Sequence, residues 1–110
     1  MVVYIREAHP EDGWIIPENR RSGLAVREPR TDEERREVAS TCAVSLRLRM
    51  EMVVDGVDNA VASAYGGWPD RLYLIRRRGT IAFQGDEGPF GFKPEALQRA
   101  IEREIAVVVA

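Results

Sequence analysis

Residues 1–5 open the chain as an unbroken apolar run, MVVYI. Such a run, rich in β-branched residues and without alternation, predicts a strand buried on both faces, as in a parallel sheet. Residues 9–30 are polar and carry Pro10, Gly13, Pro17, Gly23 and Pro29, the make-up of a long connection. Thr31, with Glu34 three residues on, predicts a capped helix start, and Val38, Cys42 and Leu46 then recur every four residues as its buried stripe. Residues 52–54 read as a short strand ending at Asp55, which can cap a helix carrying Val57, Val61 and Tyr65 on one side. Gly66, Gly67 and Pro69 end that helix. Residues 72–75 and 80–84 flank residues 76–79 as an antiparallel hairpin. Pro94 sits in the first turn of a last helix, with Leu97, Ile101 and Ile105 along its buried stripe. The apolar tail 106–110 either extends that helix or pairs as a strand. The order β-α-β-α-β-β-α predicts an α/β layer architecture.

Composition narrows the function. The chain has 110 residues, 45% of them apolar and 31% charged, with a net charge of −2. That suits one domain with one core, too apolar for a disordered chain and without a run long enough to span a bilayer. Residues 1–5 meet Arg6 and Glu7 too soon for a signal peptide. Nucleic acid needs a basic excess that is absent here, so neither nucleic acid nor membrane is expected as a partner. Fifteen of the sixteen basic residues are arginine, which reads first as genome composition. Arg76, Arg77 and Arg78 make a basic hairpin tip, more often a solvated surface than an anion reader. One cysteine excludes an internal disulfide, a CxxC redox pair and a multi-cysteine zinc site, so no metal or cofactor is expected. Cys42 lies on an apolar helix stripe, where burial raises a thiol pKa and quenches reactivity, so it reads as packing. His9, the single histidine, follows a strand C-terminus, where α/β folds place ligands, and imidazole titrates near neutrality.

Three segments carry a family resemblance. Val2 to Trp14, containing Glu7-Ala8-His9 and Asp12-Gly13-Trp14, resembles the EAH-x-x-DGW signature of iodothyronine deiodinases and their bacterial relatives. Val53-Val54-Asp55, Asp58-Asn59-Ala60, Ala64-Tyr65 and the run Asp70 to Ile75 are similar to that family's second block. Gly79 to Gly85, then Gly88-Pro89 and Gly91-Phe92, are similar to its third. The resemblance implies a thioredoxin-like fold, here partial: a mixed sheet with helices on both faces, residues 1–110 being the C-terminal portion of a single domain. It implies removal of iodine from aromatic rings by a selenocysteine or cysteine at the end of a strand upstream of the EAH strand. That strand would lie between residues 2–5 and 72–75.

The resemblance also assigns roles. His9 would hold substrate or relay a proton, and Asp70, where the family usually has glutamate, would support it. Pro69 matches a proline that is typically cis in thioredoxin-like proteins. A second histidine of the family aligns with Pro29 here, and a basic residue thought to clamp the hormone carboxylate aligns with Glu87. An acid there would repel a carboxylate, which argues against thyroid hormone as substrate. The expected function is a cytoplasmic deiodinase-like oxidoreductase served by an external thiol reductant, inactive as residues 1–110 because they lack a qualified nucleophile. The rival is a non-catalytic thioredoxin-like module that binds partners, or itself, through open strand edges. Met1 directly before a central strand suggests a start displaced by a selenocysteine codon read as stop, with a strand and helix encoded upstream.

Overall fold

A computed structural model describes residues 1–8, 10 and 26–109. Most of the connection expected over residues 9–30 therefore lies outside the described residues. The chain forms two compact units, Met1–Tyr65 and Gly66–Ala110.

In the first unit, β1 (Val2–Tyr4) runs parallel to β2 (Met52–Val54), with Val3 opposite Val53. The Val2 N–H donates to the Glu51 carbonyl and the Asp55 N–H to the Tyr4 carbonyl, each at 2.8 Å. Parallel strands require a crossover, and α1 (Asp32–Ser45) supplies it and packs on β2. Its start forms as the sequence predicts. Thr31 Oγ1 accepts from the Glu34 N–H at 3.0 Å, and the Glu34 carboxylate accepts from the Arg30 N–H at 2.8 Å. Its buried positions differ from the expected stripe: Arg35 and Ala39 are buried, Val38 and Cys42 only half-buried, and Leu46 is exposed. Leu46 caps the helix C-terminus, where the chain reverses through Arg47 at φ 52°. There the Leu48 N–H donates to the Ala43 carbonyl (3.0 Å) and the Arg47 N–H to the Val44 carbonyl (3.2 Å), a Schellman arrangement.

The short helix α2 (Ala60–Tyr65) follows Asp55, whose buried carboxylate accepts from the N–H groups of Val61 (3.0 Å) and Ala62 (2.9 Å). Asp55 thus caps this helix as expected, reaching across a turn in which the Asn59 N–H donates to the Gly56 carbonyl at 2.8 Å. Ala62 is the residue it buries; Val57, Val61 and Tyr65 are exposed.

In the second unit, β3 (Tyr73–Ile75) and β4 (Ile81–Gln84) form the expected hairpin, with Leu74 opposite Phe83 and a register shift between Leu74 and Ile75. Gly79, at φ 91°, takes the left-handed position in the turn, and its N–H donates to the Arg76 carbonyl at 2.8 Å. Helix α3 (Pro94–Val109) packs on both strands, and the tail extends it rather than pairing as a strand. Ala100 is its buried residue and Leu97 is half-buried, whereas Ile101 and Ile105 are exposed, which corrects the expected stripe. Arg76 donates to Glu104 through Nε at 3.0 Å and Nη2 at 2.8 Å. The guanidinium holds the Glu104 carboxyl below the usual range, and one arginine of the basic tip is thereby tied to α3.

The element order is the predicted one and the class is mixed α/β. One mixed sheet is not what forms: β1–β2 and β3–β4 are separate two-stranded sheets. Among the described residues each of the four strands pairs with a single neighbour.

Two predictions test this packing. Arg35 is 2% exposed and donates to two backbone carbonyls, and a hydrogen bond to a charged group contributes about 1.5–3 kcal/mol. Arg35→Ala should therefore lower the urea midpoint of the chain more than any truncation on the exposed face of α1, and an unchanged midpoint would remove Arg35 from the framework. Arg47→Gly should stabilise by about 0.5–1 kcal/mol in the same experiment, because glycine takes positive φ without a Cβ penalty.

Candidate functional site

The first cluster forms where β1 ends. Tyr4 donates its hydroxyl hydrogen to the Glu7 carboxylate, three residues on. The Glu7 N–H donates to Glu28 Oε2 at 3.1 Å, and Glu28 Oε1 lies 3.6 Å from the Arg35 guanidinium. From α1, Arg35 Nη1 donates to the carbonyls of Asp55 (3.4 Å) and Gly56 (2.7 Å). A chain of polar contacts thus runs from the end of β1 to the end of β2.

The electrostatics follow from burial and crowded negative charge. Burial raises the Tyr4 hydroxyl well above its ordinary value, and the hydrogen bond and charge of Glu7 add to it. Burial also pushes the Glu28 carboxyl up, outweighing the lowering by the Glu7 N–H and by Arg35. Burial first, and then the negative charge of Glu7, raise the Cys42 thiol. Cys42 therefore holds its proton at neutral pH, the opposite of what an attacking sulfur needs.

The second cluster belongs to the other unit. The Trp68–Pro69 bond is cis, as the thioredoxin-like resemblance implies. Asp70 follows, half-buried, and its carbonyl accepts from the Gly88 N–H at 2.9 Å. Its Oδ1 is buried without a hydrogen-bond donor among the described residues. Gly85 is buried and its N–H donates to the Leu72 carbonyl at 2.8 Å. Glu87 is exposed, with its carbonyl accepting from the Gly91 N–H at 3.1 Å.

Of the two residues that the sequence nominates, Asp70 has this place and His9 lies outside the described residues, so the structure does not relate one to the other. Sequence reasoning missed Glu28 and Arg35. The available signal was helical spacing: Arg35 and Ala39 share a face four residues apart, but a charged residue is discounted as a core position. Among the described residues no group of three or more His, Cys, Asp or Glu could hold a metal, and no helix is long and apolar enough to cross a membrane.

Comparison with known proteins bears on the same segments. The sequence model of the iodothyronine deiodinase family matches residues 1–105. Thyroxine 5-deiodinase of Ovis aries is 35% identical over 103 residues, covering 94% of this chain and 34% of its own length. Type II iodothyronine deiodinase of Rattus norvegicus is 32% identical over 108 residues, covering 96% and 40%. Thyroxine 5-deiodinase of Homo sapiens is 34% identical over 110 residues, covering 94% and 32%. The chain therefore spans roughly a third to two fifths of the length of these relatives. A match that takes in all of β1, the Asp55 cap and Asp70, and runs on into α3 leaves one assignment: this chain belongs to the iodothyronine deiodinase family.

Proposed function

We propose that these residues are the C-terminal part of a thioredoxin-like domain in a deiodinase-like oxidoreductase, whose nucleophile is supplied by sequence outside residues 1–110. The family match over residues 1–105 carries this reading. The element order supports it, together with a parallel β1–β2 pair bridged by a helix and an antiparallel β3–β4 hairpin backed by a helix.

The chemistry is reductive dehalogenation or related thiol or selenol redox turnover. A thiolate or selenolate attacks the iodine of an aryl iodide, the carbon–iodine bond breaks, and the ring carbon takes a proton. An external thiol then reduces the sulfur–iodine or selenium–iodine bond, releasing iodide. His9 holds substrate or relays the proton, with Asp70 in support. The exposed acid Glu87, where the family resemblance calls for a basic clamp, disfavours a substrate carboxylate at that point. Aryl halides without a carboxylate fit better than thyroid hormone.

Residues 1–110 alone should be inactive. With an aryl iodide and dithiothreitol they should release no iodide above the Cys42→Ser background, and Cys42 should react with iodoacetamide faster as pH rises above neutrality, because its thiol is raised. Iodide release that disappears in Cys42→Ser would overturn the proposal.

A second reading has its own support in the unpaired edges of β1 and β3: a non-catalytic module that adds a partner's strand, or self-associates. Intact mass of the native protein, captured with an antibody against α3, separates the two. The oxidoreductase reading expects a species heavier than 12.4 kDa containing selenium or a second cysteine. A mass equal to 12.4 kDa would favour the binding module.

A further inference from the structure

The loop between β4 and α3 closes against the residues that lead into β3, and it does so with backbone. The Gly85 N–H reaches the Leu72 carbonyl at 2.8 Å and the Gly88 N–H reaches the Asp70 carbonyl at 2.9 Å. These two bonds lay one stretch of chain along the other, two glycines against two residues of the incoming segment. At Gly85 an added Cβ would come 3.1 Å from the Leu72 carbonyl oxygen. At Gly88 it would overlap the carboxyl carbon of Asp70 and both carboxyl oxygens. The Asp70 side chain thus rests on the bare Cα of Gly88, with Oδ1 buried and without a hydrogen-bond donor among the described residues.

Two consequences follow. The χ2 torsion of a carboxylate is ordinarily broad, but a group whose oxygen edge meets a backbone wall loses part of that freedom. Both carboxyl oxygens lie against Gly88, and Oδ1 is buried there. Because the overlap involves the whole carboxyl group, no side chain at position 88 is compatible with this placement.

We infer that Gly88 is a positioning residue for Asp70: the missing side chain forms the slot that holds the Asp70 carboxyl group in one orientation. The inference rests on the reading of Asp70 as part of the site. It adds which residue aims the carboxylate.

Carbodiimide-promoted amine labelling of the full chain, read by peptide mass spectrometry, tests the slot directly. In Gly88→Ala, labelling of Asp70 should rise about tenfold, the factor that an overpacking cost near 1.4 kcal/mol produces. A double-mutant cycle covers the case in which Gly88→Ala folds poorly. The loss of urea midpoint caused by Gly88→Ala should largely vanish in an Asp70→Ala background, because the clash partner is gone. Equal losses in both backgrounds, or unchanged labelling in a folded Gly88→Ala chain, would overturn the inference. In the complete protein, Gly88→Ala should lower kcat with KM little changed, since misaiming a carboxylate leaves binding intact; loss in KM alone would count against positioning. Failure of the underlying reading looks different: turnover unchanged in Asp70→Asn removes Asp70 from the chemistry while the labelling and the cycle still report the slot.

Discussion

The buried guanidinium of Arg35 is the contact on which the first unit depends. It leaves α1, crosses to the end of β2, and donates to the carbonyls of Asp55 and Gly56. On its other side it meets Glu28, which in turn fixes the Glu7 N–H just past β1. Helix, both strand ends and the segment before α1 thereby share one charged group. The carbonyls it neutralises lie in the turn whose Asp55 carboxylate caps α2, so the donors of one group and the acceptors of the next form a continuous path. Buried charge is costly unless paired and hydrogen-bonded, and here the pairing itself fixes the geometry.

That dependence follows from how little apolar surface is sealed. Apart from Pro29, the buried apolar side chains among the described residues are Ala39, Ala62 and Ala100, one on each helix. Alanine offers close approach but little area, and the larger residues meant for a core remain outside: Val61 on α2, Ile101 and Ile105 on α3. Two sheets of only two strands each among the described residues have the same character. Polar contacts define the units because hydrophobic layers that would normally do so are incomplete among the described residues.

Element type and order were legible because each rests on local chemistry. The Thr31 cap, the Asp55 cap and the glycine of the hairpin turn act within a few residues of where they stand, and each forms as the pattern predicts. Burial was not legible. Spacing of apolar residues predicted Leu46, Ile101 and Ile105 inside, whereas small neighbours such as Ala39 and Ala100 take the contact positions. Which face of a helix packs depends on what lies opposite, and that is a property of the assembled layers rather than of the helix. The candidate site was legible only through the family resemblance, which nominates Asp70 as the acid directly before Arg71-Leu72-Tyr73, whereas its contact with Gly88 pairs residues eighteen positions apart and no local pattern signals it.

The charge around β1 also constrains what chemistry that strand end can support. Glu7 and Glu28 converge on the end of that strand; burial first, then the charge of Glu7, keeps protons on the Tyr4 hydroxyl and the Cys42 thiol, and Glu28 adds to the effect on Tyr4. Groups held this way can pass or retain a proton, but an anion formed beside them would be destabilised by the same field. A thiolate or selenolate that attacks an aryl halide must be stable as an anion before it reacts. The one buried cation among the described residues, Arg35, is committed to Glu28 and to two carbonyls. The residues around β1 are therefore suited to framework and proton-holding roles rather than to stabilising an attacking anion.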